Sequence, residues 1–232
     1  MKGSLFLIPV PLGSNDFESV IPLSVIETTK KLRIFIVEEL RSARRYLRLI
    51  DKEFPIDNCI FFILNEHTPA AEISDYLNPA LGGSDIGLLS EAGLPCLADP
   101  GSGIVAIAHT LGIRVIPLPG PSSIILALIS SGMNGQNFTF NGYLPAKPSE
   151  RIAKIRDIEK RASEGTAQIF METPYRNQKM LESLLEICRN DTRLCIATDI
   201  TLPQESIRTM RISEWKKQIP ALKDKLAVFV LQ

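Results

Sequence analysis

Short apolar runs, most of them continuous rather than alternating, are separated by segments of helical periodicity. This alternation constrains the fold more than any other feature of the chain. The runs are residues 5–10, 34–37, 60–64, 86–89, 114–116, 138–144, 168–171, 194–198, 207–212 and 226–231. Helical patterns fall at 23–31, 40–51, 70–77, 104–111, 123–130, 150–163, 176–189 and 214–218. A strand that is apolar on both faces must be covered on both faces, and a parallel sheet flanked by helices does that. The first half therefore predicts a mostly parallel α/β sheet. In the second half residues 138–144 and 207–212 alternate, and a short helical segment joins the last two runs. A mixed sheet is expected there. Residues 117–121 read Pro-Leu-Pro-Gly-Pro, which breaks any regular element. The expected division is a first α/β domain over 1–116 and a second over 117–232.

Composition narrows the function classes. With 45% apolar and 22% charged residues in 232, the chain can bury a core without disulfides or metals, and disorder is excluded. Lysine plus arginine equals aspartate plus glutamate at 26 each, so no overall field attracts nucleic acid or a membrane. Any such partner must be recognised by a local patch. Cys59, Cys96, Cys188 and Cys195 form no CxxC pair and sit in or beside apolar runs, as reduced core residues do. No metal site is expected. The N-terminal apolar run is too short for a signal peptide and is interrupted by Pro9 and Pro11. No stretch approaches 18 apolar residues, so a cytoplasmic protein without a membrane partner is expected.

The usual catalytic signatures are absent: there is no GxxxxGK[ST], no GxSxG and no HExxH. The string from Gly101 through Gly103 to Ala106 is dinucleotide-like, but it follows Asp99-Pro100 and has no acidic residue about 20 positions later. A turn at Pro100-Gly101 followed by a packed helix from Gly103 reads better. More informative are three loops rich in glycine and proline, each following an apolar run: residues 9–14, 90–95 and 119–123. Ligands of open parallel sheets lie outside the carboxyl ends of strands. Glycine lets backbone approach a ligand, and proline preorganises the loop's donors and acceptors. The loops contain no lysine or arginine and one acid, Glu91. A polyphosphate calls for cations, so a cationic adenosine-type ligand such as S-adenosylmethionine suits them better. Loops that merely turn the chain are the plainer alternative.

At these loops the sequence resembles the tetrapyrrole methylase superfamily, and within it the ribosomal RNA small subunit methyltransferase I group. Residues 90–101, SEAGLPCLADPG, are similar to SDAGTPxxSDPG, and 115–123, VIPLPGPSS, to VxPLPGPSA. Residues 140–147, FNGYLPAK, resemble FxGFLPxK; 169–176, IFMETPYR, resemble FxExPxR; and 3–13, GSLFLIPVPLG, resemble GxLYLVxTPIGN. The resemblance implies two α/β domains with S-adenosylmethionine in the cleft between them and a homodimer. It also implies methylation of a cytidine ribose 2′-hydroxyl in the RNA of the small ribosomal subunit. Carried onto this chain, Pro11 and Gly13 border the cofactor. Ser90, Glu91, Ala92 and Gly93 contact its methionine portion or ribose, Ser122 and Ser123 add contacts, Met171 lies near the adenine, and Ala197 and Ala227 are C-terminal contacts. With Gln232 as its last residue, the resemblance implies a short variant of the group lacking a C-terminal extension.

The departures fall mainly on the substrate side. EDTRxTxxLL reads EELRSARRYL at 38–47, SDAG reads SEAG, RELTKxxE reads ATDITLPQE at 197–205, and GEF reads DKL at 224–226. A ribose hydroxyl is a weak acid, so a base should assist its transfer. Glu91, the only charge in the loops, is the first candidate, with a loop or helix-cap acceptor as its bland alternative. Glu38 and the adjacent Glu39 come next, with a solvated first helical turn as theirs. Arg41, Arg44, Arg45 and Arg48 form a basic ridge opposite Leu40, Ala43, Leu47 and Ile50. The ridge suits RNA phosphates or a solvated, carboxylate-paired face. His67 and Arg176 are further substrate candidates: His67 is alternatively a structural histidine, and Arg176 holds an interdomain carboxylate or a phosphate. Methylation of a small molecule such as a tetrapyrrole, or cofactor binding without catalysis, remain the other readings.

Overall fold

The structure, a computed structural model, describes residues 1–65 and 67–232, the side chains of Ala70 and Ala71 excepted. The chain divides into two compact units, Met1–Ser122 and Ser123–Gln232.

The first unit runs β1 (Ser4–Ile8), α1 (Leu23–Lys31), β2 (Ile34–Val37), α2 (Leu40–Ile50), β3 (Ile60–Ile63), α3 (Ala70–Ile73), α4 (Asn78–Leu81), β4 (Ile86–Leu89), α5 (Gly101–Thr110) and β5 (Arg114–Pro117). Its five strands are parallel in the order β3-β2-β4-β1-β5. The chain steps outward from β1 through β2 to β3 and then returns through β4 to β5. Right-handed crossovers therefore send α1 and α2 to one face and α5 to the other. The core obeys this: Ile8, Phe35, Val37 and Leu89 pack with Val25, Ile26 and Leu47. Ile36, Ile86 and Leu88 pack with Leu77, Ile104 and Ala108. Burying one such aliphatic side chain contributes about 1.5–3 kcal/mol.

Residues 117–122, expected to open the second domain, stay with the first unit. The Leu118 amide donates to the Leu7 carbonyl at 3.0 Å, extending the β5–β1 pairing beyond the strand end. The helical pattern at 70–77 resolves into α3, a 3-10 turn at Ser74–Leu77, and α4 with Pro79 in its first turn. Helix α5 starts at Gly101, ahead of the expected 104, for a reason given below.

The second unit runs α6 (Ser123–Ser131), β6 (Phe138–Tyr143), α7 (Pro148–Ser163), β7 (Ala167–Glu172), α8 (Asn177–Ile187), β8 (Arg193–Thr198), β9 (Ser206–Arg211), α9 (Ile212–Trp215) and β10 (Ala227–Leu231). Its strand order is β6-β7-β10-β8-β9, with β6 and β7 parallel and the other pairs antiparallel. The mixed sheet expected for this half is present. Phe170 and Phe229, fully buried on adjacent strands, stack at 5.4 Å, and α7 and α8 cover them with Ile155, Ile158, Leu181 and Leu184. All four cysteines are free, and burial raises each thiol pKa, Cys96 to about 11. They remain protonated packing groups at neutral pH. Among the described residues no helix is long and apolar enough to cross a membrane.

Candidate functional site

The glycine- and proline-rich turns at 9–14, 90–95 and 119–122 follow β1, β4 and β5, which are neighbours in the parallel order β4-β1-β5. They leave the sheet at the same edge, the carboxyl edge where open parallel sheets bind ligands. The turns are also joined. Val10 and Gly93 exchange backbone hydrogen bonds of 2.9 and 3.1 Å, which ties the first turn to the second. Gly93 has φ +74, and a Cβ there would stand 3.1 Å from Leu12 Cδ2 and 3.3 Å from the Pro121 carbonyl oxygen. A Cβ on Gly120 would stand 2.2 Å from Pro9 Cβ, so the third turn closes on the first only because residue 120 has no side chain. Tyr46, buried on α2, donates its hydroxyl to the Pro9 carbonyl at 3.2 Å. Burial raises its phenol pKa, so the donor proton is retained.

The segment leading from the second turn into α5 is strained and braced. Cys96 (φ 68) and Ala98 (φ 66) occupy the left-handed region, at a cost of about 1–3 kcal/mol each. Asp99 holds them there. Its carboxylate accepts from the Cys96 amide at 2.9 Å and from the Gly101 amide at 2.8 Å, the first amide of α5, whose N-cap is Pro100; the helix therefore begins earlier than the apolar spacing suggests. A Cβ on Gly103 would meet no protein atom within 4 Å, so the packing of α5 does not require that glycine. The turn-and-helix reading of 99–106 holds.

The three candidate carboxylates have different surroundings. Glu39 is the N-cap of α2, accepting from the Arg41 amide at 2.8 Å and the Ser42 amide at 2.6 Å. These backbone donors lower its pKa, and its oxygens are already engaged. Its role is the bland one. Glu38, half-buried, lines a small cavity with Leu64, Leu88, Leu89, Ser90, Asp99 and Gly101, beside the second turn. Glu91 is exposed and accepts from the Ser42 hydroxyl at 2.5 Å.

Helix α2 buries Ala43, Tyr46, Leu47 and Ile50, and Arg41, Arg44, Arg45 and Arg48 are exposed. Among the described residues none of the four makes an ion pair within 4.0 Å. Arg44 lies 5.7 Å over the Phe61 ring, and Arg48 donates to the Lys52 carbonyl at 2.5 Å. Arg41 and Arg45 are both exposed on this helix, and, after the backbone donors, the Arg41 charge helps to lower the pKa of Glu39. His67 follows β3, and its amide donates to Asn65 Oδ1 at 2.9 Å in an exposed turn.

In the second unit Met171, Ala197 and Ala227 come to one end of the sheet. Ala227 opposes Glu172 and Thr198, and Val228 beside it opposes Met171 and Ala197. Met171 is half-buried, Ala227 is buried, and Ala197 is fully buried within β8. Arg176 holds the carboxylate of Glu172 in its own unit, with Nε at 2.9 Å and Nη2 at 2.5 Å from Oε1. Glu172, 5% exposed, also accepts from the Thr173 amide at 2.7 Å. Nearby, Asn177 donates to the Lys225 carbonyl at 2.7 Å, while its buried Oδ1 has no partner among the described residues. Ser122 is buried at the end of the first unit, and Ser123 opens α6.

Sequence reasoning did not identify Ser42, Tyr46, Asp99 or Gly120 as site residues. Asp99 and Gly120 carried a local signal, an acid two residues before a helix-starting glycine and a glycine between two prolines. Ser42 and Tyr46 carried none, since their partners lie 49 and 37 residues away.

Comparison with known proteins agrees with this architecture. Residues 21–216 match the family described as Tetrapyrrole (Corrin/Porphyrin) Methylases. The chain is 30% identical over 212 residues to the ribosomal RNA small subunit methyltransferase I of Pseudomonas aeruginosa, covering 91% of this chain and 71% of that protein. It is 29% identical to the protein of the same name from Bacillus subtilis, covering 91% and 68% respectively. In structure it resembles the methyltransferase CobJ, with a TM-score of 0.65 at 17% identity over 99% of this chain and 93% of that one, a likeness of fold. The chain thus belongs to the tetrapyrrole (corrin/porphyrin) methylases, a family of methyltransferases.

Proposed function

We propose that this chain transfers a methyl group from S-adenosylmethionine to the ribose 2′-hydroxyl of a cytidine in the RNA of the small ribosomal subunit. The observation that carries the reading is the cluster of three joined turns, in which Glu91 is the only ionisable side chain. Such turns offer backbone groups to a ligand and no cation to a phosphate, which suits a sulfonium and an ammonium. The residues present fit that group. Among the described residues no backbone acceptor engages the amides of Leu12, Gly13, Glu91 and Ala92; Gly120 leaves no room for a Cβ, and Gly93 sits at a φ of +74 that side chains rarely adopt. Pro11, Gly13, Ser90, Ala92, Gly93 and Ser122 would hold the cofactor from the first unit. Ser123, Met171 and Ala227 are the contacts proposed from the second, whereas Ala197, fully buried within β8, offers no surface to a ligand.

The cofactor supplies an electrophilic methyl group on a positively charged sulfur. Glu91 accepts the proton of the attacking hydroxyl as the oxygen–methyl bond forms and the methyl–sulfur bond breaks. The turns position the reactants and exclude water, and positioning alone removes several kcal/mol of barrier. Arg41 and Arg45 contact the RNA phosphates. The relatives named for small-subunit ribosomal RNA support this choice of acceptor. A homodimer belongs to the same proposal, with Ile125 and Ile129, 40% and 69% exposed one turn apart on α6, as the apolar surface available to it.

Incubation with labelled S-adenosylmethionine and unmodified small ribosomal subunits, followed by nucleoside analysis, should yield 2′-O-methylcytidine. Replacing Arg41 and Arg45 by alanine should flatten the dependence of log affinity on log salt by about 1.4, at roughly 0.7 per lost phosphate contact. Label on a base, or a small-molecule acceptor used with an unchanged salt slope in the variant, would contradict the RNA assignment.

A further inference from the structure

A departure from the family motifs meets, in space, a residue at a position the motifs leave open. Glu91 replaces the aspartate of SDAG, and Ser42 occupies the position that EDTRxTxxLL leaves open. We propose that Ser42 is a positioning residue that orients the Glu91 carboxylate and fixes it to the helix carrying the arginine ridge; this rests on Glu91 being the proton acceptor. The Ser42 hydroxyl lies 2.5 Å from Glu91 Oε1 and 3.0 Å from the Glu39 carbonyl oxygen. A hydroxyl has one proton to give, and the short bond to a carboxylate is the stronger claim on it. Ser42 is itself held, because its amide donates to Glu39 Oε2 at 2.6 Å and the next residue, Ala43, is buried in the core with Tyr46 and Leu47.

A glutamate projects its carboxylate one carbon–carbon bond, about 1.5 Å, farther than an aspartate. That extra reach brings Glu91 to α2, and an aspartate at this position falls short. With Oε1 engaged by Ser42, Oε2 is presented for the proton of the ribose hydroxyl. Ser42 also lies between Arg41 and Arg45 in the sequence of α2, so an RNA strand held by those two guanidinium groups is in register with the carboxylate. The arrangement makes α2 a rigid strut between phosphate contact and proton acceptor.

Single-turnover methyl transfer to unmodified small ribosomal subunits, with S42A, E91D, the double variant and S42T, tests this. S42A should lower the rate about 10-fold, the loss expected from one hydrogen bond to a charged group. Its affinity for S-adenosylhomocysteine, read by calorimetry, and its half-saturating subunit concentration should stay within about twofold of the wild type, inside the ~0.5 kcal/mol scatter of uncoupled sites. E91D should lose a similar factor, the double variant should be no slower than E91D, and S42T should restore most of the rate. Losses that multiply in the double variant, a full-rate S42A, or weakened S-adenosylhomocysteine binding by S42A would each overturn the positioning role. A wild type that transfers no methyl to the subunits would instead contradict the proposed function, and the role of Ser42 would fall with it.

Discussion

Replacement of Gly120 by alanine is expected to weaken binding of S-adenosylhomocysteine on the order of 100-fold, the scale on which a displacement of about 1 Å is felt at a preorganised site. The added Cβ would stand 2.2 Å from Pro9 Cβ and 2.5 Å from its Cγ. Neither partner is flexible, since Pro9 is a ring whose carbonyl is held by Tyr46, and the third turn is tied to β1 through Leu118. The turns must separate, and the amides of the first turn move with them. Gly103→Ala is the matched control. A Cβ there meets nothing within 4 Å, and in the first turn of α5 it should raise stability by about 0.5–1 kcal/mol through helix propensity, with cofactor affinity unchanged. Calorimetry for affinity and thermal unfolding for fold separate the two variants. Equal affinity in Gly120→Ala and wild type would show that the junction of the first and third turns does not shape the cofactor site.

Glu91→Gln should reduce the rate of methyl transfer about 10²–10⁴-fold, the usual contribution of a positioned base, and change S-adenosylhomocysteine affinity little. Glutamine keeps the size of the side chain and still accepts from Ser42 through its carbonyl oxygen, so the local structure should survive. Only the capacity to take a proton is removed. The plainer reading of Glu91 as a loop acceptor predicts the reverse pattern, with a small rate effect and weakened binding. Single-turnover kinetics beside calorimetry distinguishes them. If the rate survives and Glu38→Gln abolishes it, the base is the carboxylate at the end of β2, lining the cavity beside the second turn.

The strands were legible because burial on both faces writes itself as continuous apolar sequence, as in Ile34–Val37 and Ile86–Leu89. The helices were less so where local chemistry overrides periodicity. Pro79 and the polar Ser74-Asp75 pair divide the expected helix at 70–77. Gly101 and Gly103 hide the true start of α5, where the Asp99 carboxylate accepts the first helical amide and apolar spacing gives no signal. The three turns were legible as a set because glycine and proline mark backbone that must approach closely. Their closure was not, because the Val10–Gly93 bridge and the Gly120–Pro9 contact join segments 83 and 111 residues apart in the chain. The arginine ridge was legible from helical spacing alone, but the stacking of Arg44 on Phe61 depends on the neighbouring strand β3, which periodicity does not reveal. Arg176 reads in the sequence as a cation awaiting an anion, and its anion proves to be Glu172, four residues earlier.

The central claim is that uncharged backbone on three joined turns holds a cationic methyl donor. Titration calorimetry of the wild-type chain against S-adenosylmethionine, with Gly120→Ala run in parallel, tests it most directly. The account predicts saturable heat with a dissociation constant within about 1 μM to 1 mM, the range enzymes commonly show for their substrates, and its loss in the variant. No heat from the wild type at protein concentrations well above that range, or an ATP titration that binds more tightly, would contradict it.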